Sequence, residues 1–281
     1  MQVVFTPRII VFNESFVPVG TNQKSLGPTA IIWHEVTQGR MKEDITSAFH
    51  KFLLTQRDTK YVRFWLDNCS AQNKNWCLIS FFVYIVNSQE ISADEIEIYF
   101  FESGHTYMSA DWFHHQCEEC MQNYRAAGEN SGGKIYDFDD FHDAIQSVKV
   151  KNTKVVDMNL NDFREWLDYS SKAKLDKKNN PDRPYLASVV KMGFVRGKNT
   201  MFYANEYESD YKEFDFLMVK YLKQSPPSGH TRKVMRGIQK ERKNEIVKAL
   251  TPLMPENRRI FWRSLPVAND ELIDLLKEVG D

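Results

Sequence analysis

The sequence predicts an α/β fold, a mixed sheet flanked by helices, with an α+β accessory region and a basic helical C-terminal tail. Three observations carry this: strand and helix periodicities alternate through the first half, a Pro-Pro-Ser-Gly break follows Ser225, and the residues beyond it are strongly basic. Residues 8–13 and 30–33 are short β-branched or aromatic runs, separated by a Gly- and Pro-containing region, and read as antiparallel neighbours. In residues 43–54, Ile45, Phe49, Phe52 and Leu53 fall at helical spacing behind acids in the first turn. Residues 61–66 read as a strand, 73–87 as a helix apolar on most sides, 95–101 as a strand of alternating acids and apolar residues, and 109–124 as an amphipathic helix. Beyond a Gly-containing loop, residues 137–148 and 160–169 look like short helices. Residues 172–180 form a charged connector, and 185–195 and 200–203 read as strands.

At 281 residues the chain sits near the size at which one core stops growing. The expected organisation is a core over residues 1–150, an accessory extension over 151–224, and a linker with a separable basic tail over 225–281. The net charge of -1 hides an asymmetry: residues 222–263 carry 11 Lys or Arg against Glu241, Glu245 and Glu256, an excess of 8 positive charges. Such a segment suits a polyanion. The longest apolar run, residues 76–86, is too short for the ~20 residues of a membrane helix. Residues 2–7 lack the charged lead and apolar core of a signal peptide. A soluble, intracellular protein with reduced cysteines is expected. The sequence has no Walker motif, no Gly-rich dinucleotide loop and no Ser-centred nucleophile elbow.

Asp67 follows directly on the 61–66 strand, where open α/β folds place ligand and metal chemistry. It leads into the amide cluster Asn68, Gln72, Asn73 and Asn75. Asp44 and Asp111 stand in the first turns of the two expected helices. Convergence of Asp44, Asp67 and Asp111 could hold Mg²⁺, which needs one or two protein carboxylates. The competing reading is helix N-terminal charge compensation. His114, His115, Cys117 and Cys120 offer zinc-type donors, but no second Cys-x-x-Cys exists, so a zinc site is not expected. In the tail, Lys233, Arg236, Arg242, Lys243, Arg258, Arg259 and Arg263 are the candidate nucleic-acid contacts. Phe261 and Trp262 lie among them as stacking planes.

Three spaced motifs carry a resemblance: Trp33-His34-Glu35 with Gly39-Arg40, Asp44-Ile45 and Ser47; Leu66-Asp67-Asn68-Cys69-Ser70 with Gln72 to Asn75; and Gly104-His105-Thr106 with Met108, Asp111 and His115. Over about residues 1–210 the chain resembles a poorly characterised family of transposase-like domains, DDE-type and ribonuclease-H-like, in mobile-element-derived animal proteins. The resemblance implies a ribonuclease-H-like sheet, with Asp44, Asp67 and Asp111 at the first-helix, fourth-strand and last-helix acid positions. It implies phosphodiester cleavage or strand transfer by two Mg²⁺ or Mn²⁺ ions ~3.5–4 Å apart, with His105 or His115 addressing a phosphate oxygen. In the relatives a further acid lies on the first strand, just before the segment matching Met1 to Val4. The expectation is therefore a nuclear, DNA-binding chain, DNA rather than RNA, in which cutting activity is lost. The alternative is a protein-interaction module that keeps the fold without using its acids.

Overall fold

A computed structural model describes residues 8–20, 26–102, 108–124, 135–176, 178 and 180–268. The strands are β1 (Val11–Phe16), β2 (Thr29–His34), β3 (Tyr61–Leu66), β4 (Glu95–Phe100), β5 (Lys154–Asp157), β6 (Arg164–Glu165), β7 (Lys191–Val195), β8 (Met201–Ala204), β9 (Lys212–Phe214) and β10 (His230–Thr231). The helices are α1 (Lys42–Thr55), α2 (Ser70–Asn73), α3 (Trp76–Asn87), α4 (Ser109–Asn123), α5 (Phe138–Gln146), α6 (Lys172–Leu175), α7 (Val219–Lys223), α8 (Lys240–Leu250) and α9 (Glu256–Ser264). The fold is mixed α/β. The chain divides into two compact units, each assembled from separate stretches: residues 1–40, 108–163 and 232–281 form one, and 41–107 with 164–231 the other.

In the first unit β2 is central, antiparallel to β1 and parallel to β5. Its run Ala30-Ile31-Ile32-Trp33 is fully buried, as expected for a strand covered on both faces. Ala30 and Ile32 pack with Phe113 and Cys117 of α4 and Ile145 of α5. From Arg232 onward the basic segment is part of this unit. Ile238, Ile246, Met254, Trp262 and Leu265 bury themselves with Val36 in a second cluster. Backbone bonds fasten it: Arg236 N donates to Thr37 O at 3.1 Å and Gly237 N to Val36 O at 2.9 Å. Gly237 has φ of 72°, and a Cβ there would lie 2.5 Å from the backbone nitrogen of Ala268, so the turn admits no larger residue. The Pro-Pro break at residues 226–227 thus does not release a detached tail, because the apolar stripe beyond it completes a core.

In the second unit a five-stranded sheet runs β3-β4-β7-β8-β9, with β3 and β4 parallel and the rest antiparallel. Helices α1 and α3 are buried against one another and the sheet: Phe49 stands edge-on to Phe64 and Phe82 at 5.3 and 5.7 Å, and Phe82 stacks on Phe194 at 5.4 Å. The strands expected to share one sheet with β3 and β4 do not; β2 spends both edges on β1 and β5, and β4 both edges on β3 and β7. Residues 160–169 are not a helix either. The side chain of Asp162 caps Asn159 N at 2.9 Å in a short 3-10 turn, and β6 then pairs with β10. Leu186–Ser188 form a second 3-10 turn ahead of β7, so the strand expected over 185–195 begins only at Lys191.

Candidate functional site

Asp67 sits immediately beyond β3, where the parallel pair β3 and β4 presents its carboxyl ends. Its carboxylate accepts from the Asn73 amide and from Cys69 N at 3.4 Å, closing the loop around α2. The next residue after that helix, Lys74, is 5% exposed, and among the described residues no carboxylate is bonded to its amine. Lys74 Nζ donates to the carbonyls of Ala187 at 3.1 Å and Val189 at 2.8 Å and lies 4.4 Å from the centre of the Phe100 ring. Burial lowers its pKa to about 8. Asn75 then caps α3, its side chain accepting from Leu78 N at 2.9 Å. Asn73 and Asn75 of the amide cluster therefore have structural jobs, and Lys74 between them is the buried cation that periodicity could not flag.

The other two acids are also engaged locally. Asp44 is 1% exposed and accepts from Met41 N at 2.8 Å; Asp111 accepts from Met108 N at 2.7 Å. Both are first-turn residues bonded back to the start of their helices. Among the described residues no three His, Cys, Asp or Glu side chains are grouped to hold a metal ion. His115 lies on the exposed side of α4 with Glu119 3.6 Å away, and His105 lies outside the described residues. Cys117 is core, its thiol pushed up to about 12 by burial, and so behaves as a small apolar group.

The basic candidates divide into two sets. Arg242 grips Glu35 with both terminal nitrogens, at 3.0 and 2.6 Å, and Glu35 also accepts from Ile10 N at 2.7 Å. Arg258 bridges Asp137 at 3.2 Å and Asp140 at 2.6 Å. Lys243 Nζ donates to Leu265 O at 2.6 Å and Arg259 Nε to Met254 O at 3.1 Å. Arg242 and Arg258 tie the segment to residues 35 and 137–140, whereas Lys243 and Arg259 are used within the segment itself. Lys233, Arg236 and Arg263 are exposed, together with Lys240 and Lys248, and none of these five forms an ion pair among the described residues. Trp262 is buried and donates to Tyr136 O at 2.8 Å, and Phe261 packs edge-on against His34 at 5.7 Å, so neither ring is an open stacking plane.

Residues 44–188 match the family model for a domain of unknown function, DUF7869. The chain belongs to the DUF7869 family. The matched stretch begins at the first-turn acid of α1, includes Asp67, Lys74 and Asp111, and ends at the 3-10 turn that supplies a carbonyl to Lys74. Comparison with curated proteins and with solved structures finds no match. No helix among the described residues of this DUF7869 protein is long and apolar enough to cross a membrane.

Proposed function

We propose that the protein is a transposon-derived domain that binds nucleic acid, DNA in preference to RNA, through the exposed cations of its last third. The observation that supports this is the division of labour within the basic segment. Arg242 and Arg258 are consumed in holding it down, whereas Lys233, Arg236, Lys240, Lys248 and Arg263 face solvent on a segment fixed by its own buried stripe. Fixed, uncompensated cations neutralise phosphates and release counterions. Phosphate binding without open stacking planes gives affinity with little sequence preference.

The motif resemblance adds descent from a metal-dependent DNA-cutting enzyme. The donor set does not fit a pair of catalytic ions, because Asp44 and Asp111 spend carboxylate oxygens on helix starts and Asp44 is buried. No nicking of DNA is therefore expected with Mg²⁺ or Mn²⁺, and nicking abolished by Asp67→Ala would overturn that reading.

The binding test is anisotropy of labelled duplex and single-stranded DNA across a salt series, comparing the native chain with a Lys233→Glu, Arg236→Glu, Lys240→Glu variant. Affinity should fall steeply with salt, and the variant should flatten the logarithmic slope by about 3, roughly one for each phosphate left without its cation. Salt-independent binding, or an unchanged slope in the variant, would favour the competing reading of a protein-interaction module, to which the internal use of Arg242 and Arg258 lends its support.

A further inference from the structure

β3 is an edge strand of the five-stranded sheet. Leu66 O accepts from Phe101 N at 3.0 Å and Lys60 O from Glu95 N at 3.4 Å, so the even-numbered residues turn their backbone groups toward β4. In a parallel ladder the intervening residues then turn theirs away. Tyr61, Arg63 and Trp65 consequently offer an N–H and a C=O each along the outer edge, and no backbone bond to any of them from that side is made among the described residues. Their side chains share the sheet face opposite Phe64: Tyr61 is 72% exposed and Trp65 38%. Trp65 is held upright by stacking on Tyr99 at 4.8 Å.

Natural edges are kept from pairing by lysines, prolines or bulges. Tyr61–Leu66 itself has none of these, and the lysine just before it, Lys60, is turned to Asp94 at 3.8 Å. The strand's one cation, Arg63, is neutralised by Glu97, to which Nε donates at 2.8 Å. We infer that this edge takes the β3 edge of a second copy of the chain, antiparallel, about a two-fold axis at Arg63.

The chemistry of the strip selects that occupant. A row of alternating N–H and C=O groups is matched only by another extended backbone. The symmetric register sets Tyr61 of each copy opposite Trp65 of the other, giving two aromatic cross-strand pairs. Arg63 meets Arg63 at the axis without net repulsion, since each carries its own Glu97. A depression of about 200 Å³, lined by Tyr61, Val62, Arg63, Glu95 and Glu97, lies at the Tyr61 end of the strip.

The test is sedimentation velocity of the full chain over a wide concentration range, with amide hydrogen exchange read at Tyr61, Arg63 and Trp65. The expected result is a dimer that grows with concentration while those three amides become protected together. Tyr61→Pro removes one outward donor per copy at the first residue of the strand, where proline breaks no bond to β4. Tyr61→Lys places a charge on the edge with the backbone untouched. Both should raise the dissociation constant at least about tenfold, a change of ~1.4 kcal/mol, with an unchanged circular dichroism spectrum. A chain monomeric at all concentrations overturns the proposal, whether the three amides exchange freely or stay protected by another segment of the same chain. So does a dimer indifferent to both substitutions.

Discussion

His34 gives the first unit a response to acid. Its ring stands edge-on between Phe138 at 5.0 Å and Phe261 at 5.7 Å. Burial there lowers its pKa to about 4 from 6.5, against the opposing pull of Glu35. Between those values the unfolded chain binds the extra proton, so the stability His34 contributes is complete above about pH 6.5 and lost as the pH falls toward 4. The loss is on the order of 3 kcal/mol at most. Replacing His34 by Phe should flatten urea-derived stability across that window; an unchanged slope would assign the acid response to other groups. Glu90 cannot substitute for it in that role. The hydrogen bond from His50 holds its carboxyl at about 2, so its contribution persists through most of that window and fades only below about pH 4.5. Lys74 behaves in the opposite range. With its amine lowered to about 8, the native chain gains stability as pH rises from there toward 10.5. Lys74→Met should abolish that gain and cost about 1–3 kcal/mol at neutral pH, because the carbonyls of Ala187 and Val189 lose their donor. Equal stability of variant and native chain in guanidinium melts would show those carbonyls re-satisfied.

At the scale of elements, α8 and α9 are held by an apolar stripe together with the ion pairs of Arg242 and Arg258. Trp262 fills the cluster around Val36, and Trp262→Ala should cost about 3–5 kcal/mol, read as a fall in melting temperature. Arg242→Ala should cost about 3 kcal/mol, since the buried Glu35 carboxylate would be left without its cation. That the basic tail is helical was legible in the sequence; where its apolar face goes was not, because the Val36 surface that receives it lies some two hundred residues earlier. The same distinction runs through the chain. Local periodicity placed β3, β4, α1, α3 and α4 within a residue or a few, since each carries its own apolar spacing. β5 and β9 escaped because four and three residues hold too little pattern, and their existence depends on partners distant in sequence. The partition of strands into separate sheets escaped for the same reason. At the site, Asp67 was legible as the residue after a strand, whereas Lys74 was not: nothing in Asn-Lys-Asn tells that the amine turns inward to carbonyls more than a hundred residues away.

For the whole molecule, the basic segment cannot be cut away without consequence. A chain ending at Ser225 lacks β10 and its pairing with β6 but should retain cooperative unfolding of the rest of the second unit, while the first unit loses Ile238, Ile246, Met254, Trp262 and Leu265 from around Val36. Limited proteolysis followed by mass spectrometry should find residues 8–40 newly cleavable in that variant; resistance equal to the native chain would show the first unit stable without its final third. The interleaving of the two units also fixes an order of events on the ribosome. Once residue 231 has emerged, every strand and helix of the second unit is available, but its companion still lacks α8 and α9. At ~5–20 residues per second, residues 232–268 take roughly 2–7 seconds to make. Throughout that interval Val36 and its neighbours stand uncovered, a surface on which a chaperone can bind and beyond which a stalled or prematurely terminated chain cannot mature.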